Sequence, residues 1–159
     1  MKPAFIPLPP HLAPHIPADV AQRLVGIGNA ALLAEPLLGF IASRQCPGHV
    51  FIETLDRVPQ WASAGRVLIS GFHSPLEQQV LRSLLRRQGH AVKLLARHLP
   101  ADRAWRPTAE EREPLAQGRL LILSASPAAE ARTTRASSIA RNRLVLALAT
   151  EALRISASD

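Results

Sequence analysis

The chain has a single cysteine, Cys46, no tyrosine, and only two lysines, Lys2 and Lys93. One cysteine cannot close an intrachain disulfide, and no second cysteine or histidine stands at metal-ligand spacing from it, which argues against a zinc site and fits a reducing, cytoplasmic setting. Flanked by Gln45 and Pro47, Cys46 reads as a packed or exposed residue rather than a nucleophile. Four phenylalanines and two tryptophans leave little material for an aromatic stacking platform, although Phe72 lies in a loop suited to one. No apolar run approaches the roughly 18 residues that span a bilayer, and prolines interrupt the start of the chain where a signal peptide would be continuously apolar, so no membrane association is expected. Paired carboxylates at catalytic spacing, a G-x-S-x-G elbow, H-E-x-x-H and G-x-x-x-x-G-K-[ST] are all absent. The hydrolase, metalloprotease and P-loop ATPase readings therefore lack their chemical parts, and a binding protein without catalytic residues, metal or cofactor is expected.

What is present is arginine. At 159 residues the chain has the length of one domain, and its formal charge is +7. Residues 82–106 carry Arg82, Arg86, Arg87, Lys93, Arg97, Arg103 and Arg106 against one acid, Asp102, and Arg119, Arg132, Arg135, Arg141 and Arg143 face only Glu130. Guanidinium forks match phosphate oxygens in geometry as well as charge, which favours a polyanionic partner.

Residues 1–20 form a proline-rich segment expected to be an extended arm, and residues 21–159 a single domain. Short apolar runs at 23–27, 67–70, 92–95, 120–123 and 153–155 predict strands, and the stretches 35–44, 51–64, 75–88, 108–117 and 137–150 predict helices. That alternation indicates an α/β fold: a Rossmann-like parallel sheet flanked by helices on both faces.

Three constellations in this frame could bind a ligand. Val67 to Ser70 runs through Gly71, Phe72 and His73 into a helix opened by Ser74, Pro75 and Glu77, an S-x-x-E capping box. Such a helix start offers backbone N–H groups to a phosphate, and a turn glycine lets the ligand approach; equally, any strand-to-helix loop needs a turn glycine and a cap. Gly26-Ile27-Gly28-Asn29 opens a literal G-x-G-x-x-A, with Glu53 about 25 residues on, the pattern of a dinucleotide site. Pro36 inside the following stretch and the Cys46-Pro47-Gly48 turn weigh against that reading. Finally, Arg141-Asn142-Arg143 sits in the first turns of a helix, where Arg141 and Arg143 diverge by ~200° and so cannot serve one small ligand equally. Ser138, Arg141 and Asn142 share a face; a solvated charged face is the commoner fate of such arginines.

In this order the constellations resemble the DNA-processing protein A (DprA, or Smf) family, within the Rossmann-like group that also holds the LOG phosphoribohydrolases. The resemblance rests on Gly26-Ile27-Gly28-Asn29, Ser43-Arg44 with Cys46-Pro47-Gly48, Ser70 to Glu77, Leu123 to Pro127, and above all Arg141-Asn142-Arg143. It implies a domain that binds single-stranded DNA in a basic pocket during DNA processing or uptake and, in well-known members, hands it to a RecA-type recombinase. On this chain Ser43 and Arg44 would contact backbone phosphate, Gly71, Phe72, His73 and Ser74 would supply loop amides, and Arg141 with Asn142 would line the same pocket, together with Gly28, Asn29, Glu77 and Arg143. The family's S-G-x-A-x-G-[IV]-D loop is replaced by Ser70 to Glu77, and the LOG pattern P-G-G-x-G-T-x-x-E is absent. The alternative reading is a small nucleotide ligand at the same loops, with or without LOG-like hydrolysis. The sequence is compatible with a homodimer.

Overall fold

The computed structural model describes residues 1–157. Its core strands are almost uncharged. In β3 (Leu37–Ala42), β4 (Val67–Ser70), β5 (His90–Leu95) and β6 (Leu120–Ser124) nearly every side chain is buried. Strands covered on both faces have no polar face to show, so apolar residues run almost without a break, with Lys93 in β5 as the charged exception. The two-residue alternation survives only in where the side chains go. Leu37, Val67, Ile69, Val92, Leu94, Leu121 and Leu123 enter one layer, while Leu38, Phe40, Leu68, Ala91, Leu120 and Ile122 enter the other.

The strands lie in the order β1-β2-β6-β5-β4-β3-β7 among the described residues. β6, β5, β4, β3 and β7 (Glu151–Ile155) are parallel, and β2 (Val25–Gly28) and β1 (Ala4–Phe5) close one edge antiparallel. Helices α2 (Gly48–Ser63), α3 (Pro75–Arg86) and α4 (Ala109–Ala116) cover one face through Val58, Trp61, Val80, Leu84 and Leu115. α5 (Arg135–Leu148) crosses back over the other face with Val145 and Leu148 and delivers β7 beside β3. This is the Rossmann-like α/β arrangement. No helix among the described residues is long and apolar enough to cross a membrane.

Three local expectations change. The stretch 35–44 is a strand, β3, rather than a helix. Leu37 to Ala42 is apolar throughout, so it carries no periodicity to separate a buried strand from a buried helix, and Pro36 marks its start. The first predicted strand is β2, which runs antiparallel to β6 and so points its end the opposite way from the other strands. The proline-rich start is extended only at Ala4–Phe5; it then makes a 3-10 turn at Ala13–His15 and a short helix, α1 (Ala18–Gln22). Its Ile6, Leu12 and Ile16 are buried in the α5 layer.

Candidate nucleic-acid interface

Parallel strands deliver all their following loops to one edge. Here those are the segments after Ala42, Ser70, Leu95 and Ser124. The chain leaves β5 toward α4 on one face and leaves the neighbouring β6 toward α5 on the other. Divergent exits from adjacent strands open a crevice, the usual ligand position in open α/β sheets.

The centre of this edge is an internal carboxylate. Ser74 caps α3 by accepting from the Glu77 amide at 3.4 Å, and Glu77 Oε1 returns to accept from the amides of Ser74 (3.2 Å) and His73 (2.9 Å). Its Oε2 accepts from the Ala42 amide at 2.9 Å, which ties the end of β3 to the loop after β4. The Phe72 amide donates to Ser70 Oγ at 3.0 Å. The amides of residues 72–74 are thus engaged by the chain's own side chains, which corrects the expectation that they would hold a phosphate. A buried carboxylate already occupies the positive end of α3.

Phe72 is also corrected as a stacking surface. Its φ of 48° lies in the left-handed region, which costs a non-glycine residue roughly 1–2 kcal/mol. That backbone turns the ring inward, where it is 4% exposed and packs in the α2–α3 layer.

Against this loop lies Arg141. The residue is 8% exposed, its Nε donates to Asn142 Oδ1 at 2.8 Å, and Nη1 donates to the Leu94 carbonyl at 3.4 Å. It makes no ion pair within 4 Å among the described residues. Burial lowers its pKa and the charge of Glu77 opposes the shift, so the guanidinium is a desolvated cation whose compensation comes only through space. Two of its five donors are engaged.

Gly71 makes this position available. A Cβ there would stand 2.2 Å from Arg141 Cζ. Gly71→Ala is therefore expected to expel the guanidinium from its seat and to lower ligand affinity about as far as loss of Arg141 itself, as read by fluorescence anisotropy. The displaced guanidinium is the end of a flexible side chain, so the stability lost in urea unfolding should stay under about 1 kcal/mol.

The other predicted residues divide by edge. Ser43 is half-buried, with its amide (2.9 Å) and hydroxyl (3.2 Å) both donating to Ile155 O, and exposed Arg44 follows it at the shared edge. His73 is exposed beside them. Arg143 is exposed whereas Arg141 is buried, in keeping with their angular separation on α5. Gly28 and Asn29 lie at the opposite edge, because β2 is antiparallel. Gly28 pairs with Leu121, and at φ 107° a Cβ would meet Leu120 O at 2.2 Å, so close strand approach explains this glycine. Asn29 donates to Gly118 O at 2.9 Å and caps the next turn through Ala31 N. Glu53 lies within α2, so the dinucleotide pattern has neither its loop nor its acid in place.

Lys93 and Arg97 belong to the basic run, but sequence alone does not bring them to this edge. Lys93 Nζ forms an ion pair with Glu111 Oε2 at 3.8 Å, longer than a hydrogen bond, while Glu111 Oε1 accepts from the Thr108 amide. Arg97 lies over the Trp105 ring at 5.6 Å, and its carbonyl accepts from Ser124 Oγ at 2.6 Å. The available signal was Lys93 itself, a charge inside an otherwise apolar strand. Both side chains, with Gly71, Arg141, Arg82 and Arg86 and with Glu110, Glu111 and Glu113, line a cavity of about 690 Å³ that runs from the edge between α3 and α4.

A family model described as DNA recombination-mediator protein A matches residues 8–159. DNA processing protein A from Helicobacter pylori, whose structure is described for its single-stranded DNA binding mode, superposes with a TM-score of 0.71 at 23% identity, covering 97% of this chain and 71% of that one. DNA processing protein A from Streptococcus pneumoniae superposes with a TM-score of 0.63 at 22% identity, covering 88% of this chain. The match spans half, 50%, of the Streptococcus pneumoniae chain. No curated protein matches.

Proposed function

The chain belongs to the DNA recombination-mediator protein A family, and from that membership we propose that it binds single-stranded DNA through backbone phosphates at the C-terminal edge of its parallel strands. The observation that carries this reading is the buried guanidinium of Arg141, desolvated, without a carboxylate contact and with donors still unengaged. A dehydrated cation loses little more hydration when an anion arrives, and the fork can grip two phosphate oxygens at once. Arg44, Lys93 and Arg97 extend the positive field along the edge and would contact neighbouring phosphates. Glu77 orders the loops rather than the ligand: its three amide contacts hold β3, the Gly71 loop and α3 in register beneath Arg141. Base identity enters weakly, because phosphates carry no sequence information.

This mode is electrolyte-sensitive. Four cations neutralising phosphates on a single strand give a log–log salt slope of about −3, so affinity should fall on the order of 50-fold between 50 and 200 mM salt. Absence of binding to a labelled oligothymidylate at ~50 mM salt, where attraction is strongest, would overturn the proposal. The 690 Å³ cavity favours one competing occupant, a mononucleotide, since small-molecule sites span roughly 300–1,000 Å³. That occupant would give a saturable rise in melting temperature with weak salt dependence.

A further inference from the structure

Arg141 also forms part of a second chamber on the other face of the sheet. This chamber, about 280 Å³, opens at the same edge between the ends of β5 and β6, the N-terminal segment and α5. It is lined by Ile16, Val20, Leu94, Ala140 and Leu144, and Arg141 lines it as well. Glu130 and exposed Arg143 also line it and offer an acceptor and a donor. Arg141 and Leu95 line both this chamber and the α3–α4 cavity, so the two volumes meet at these two residues.

We propose that the α1–α5 chamber receives one nucleobase of the bound strand while Arg141 holds the adjoining phosphate. This inference rests on the single-strand reading above and adds a place for a base to it. A free anion has no use for the apolar walls, and a purely apolar ligand leaves the buried guanidinium without a counter-charge. A nucleotide presents an anion and a flat apolar body side by side, and unstacked bases lie readily against guanidinium planes. The volume is about nine times the ~30 Å³ share of a liquid water molecule, which accommodates a base but not a stacked pair of nucleotides with their sugars. The proline-rich start acquires a role in this arrangement: Ile16 and Val20 build the wall opposite α5.

The test compares a fluorescein-labelled oligothymidylate with an abasic strand of equal length and phosphate number, by anisotropy on the full chain. The wild type is expected to bind the thymidylate about tenfold more tightly, the scale of one buried base. Ala140→Trp, which fills the chamber from α5, should bring that ratio close to one by weakening the thymidylate complex. Val20→Trp fills it from the opposite wall and serves if the first variant does not fold. A ratio near one in the wild type, or a tenfold ratio that persists in the filled variants, overturns the base chamber and leaves the phosphate site standing. A wild type that binds neither strand overturns both.

Discussion

Arg141→Ala should weaken single-strand binding by about 1.5–3 kcal/mol, or roughly 10- to 150-fold at low salt, because a charged donor to phosphate is lost from a desolvated seat. The measure is an anisotropy titration with a labelled oligothymidylate. The comparison is Arg112→Ala, which removes the same charge from an exposed position on α4. That variant should change affinity less than about threefold, the weight of a screened, distant charge. Net charge falls by one in both, so a difference between them reports position, and equal losses would show that Arg141 has no special place. The fold should survive Arg141→Ala. The guanidinium's contacts with Asn142 and Leu94 O are offset by the cost of its burial, and Glu77 keeps its three amide partners.

The second large effect is on stability. Glu77→Ala leaves the amides of Ala42, His73 and Ser74 without their acceptor at a position 4% exposed. It also removes the one carboxylate whose charge reaches Arg141. Leaving a buried donor without its acceptor costs about 1–3 kcal/mol, so with three such amides urea unfolding should show a loss of about 3–5 kcal/mol. Glu77→Gln keeps one carbonyl acceptor and should cost less. Glu110→Ala, an exposed acid 3.4 Å from Arg82, should cost under about 1 kcal/mol. If all three variants unfolded at the same urea concentration, Glu77 would not be the tie between β3 and the Gly71 loop.

The legible parts of this molecule were those whose information is local. The α3 cap could be read from Ser74, Pro75 and Glu77, because a capping box is fixed by four consecutive residues, and the structure forms it as written. The divergence of Arg141 and Arg143 followed from helical pitch alone. What depended on distant partners was hidden. Nothing within Gly26 to Asn29 says that β2 will pair antiparallel with a strand some 90 residues later, and that pairing carries Gly28 and Asn29 to the far edge. Leu37 to Ala42 looked like either element because a strand covered on both faces has lost its polar side. Phe72 looked available in the sequence because its left-handed φ, which turns the ring into the core, depends on the packing around it. The capping box itself held a second consequence that local reading missed. Once Glu77 folds back over its own helix, the amides of His73 and Ser74 expected to meet a phosphate are satisfied.

The most direct test of the account is a crystal structure with a short oligothymidylate. A phosphate is expected within hydrogen-bond reach of the Arg141 guanidinium at the C-terminal edge of β4 and β5. A strand bound at the opposite edge, beside Gly28 and Gly118, with Arg141 untouched, would contradict it.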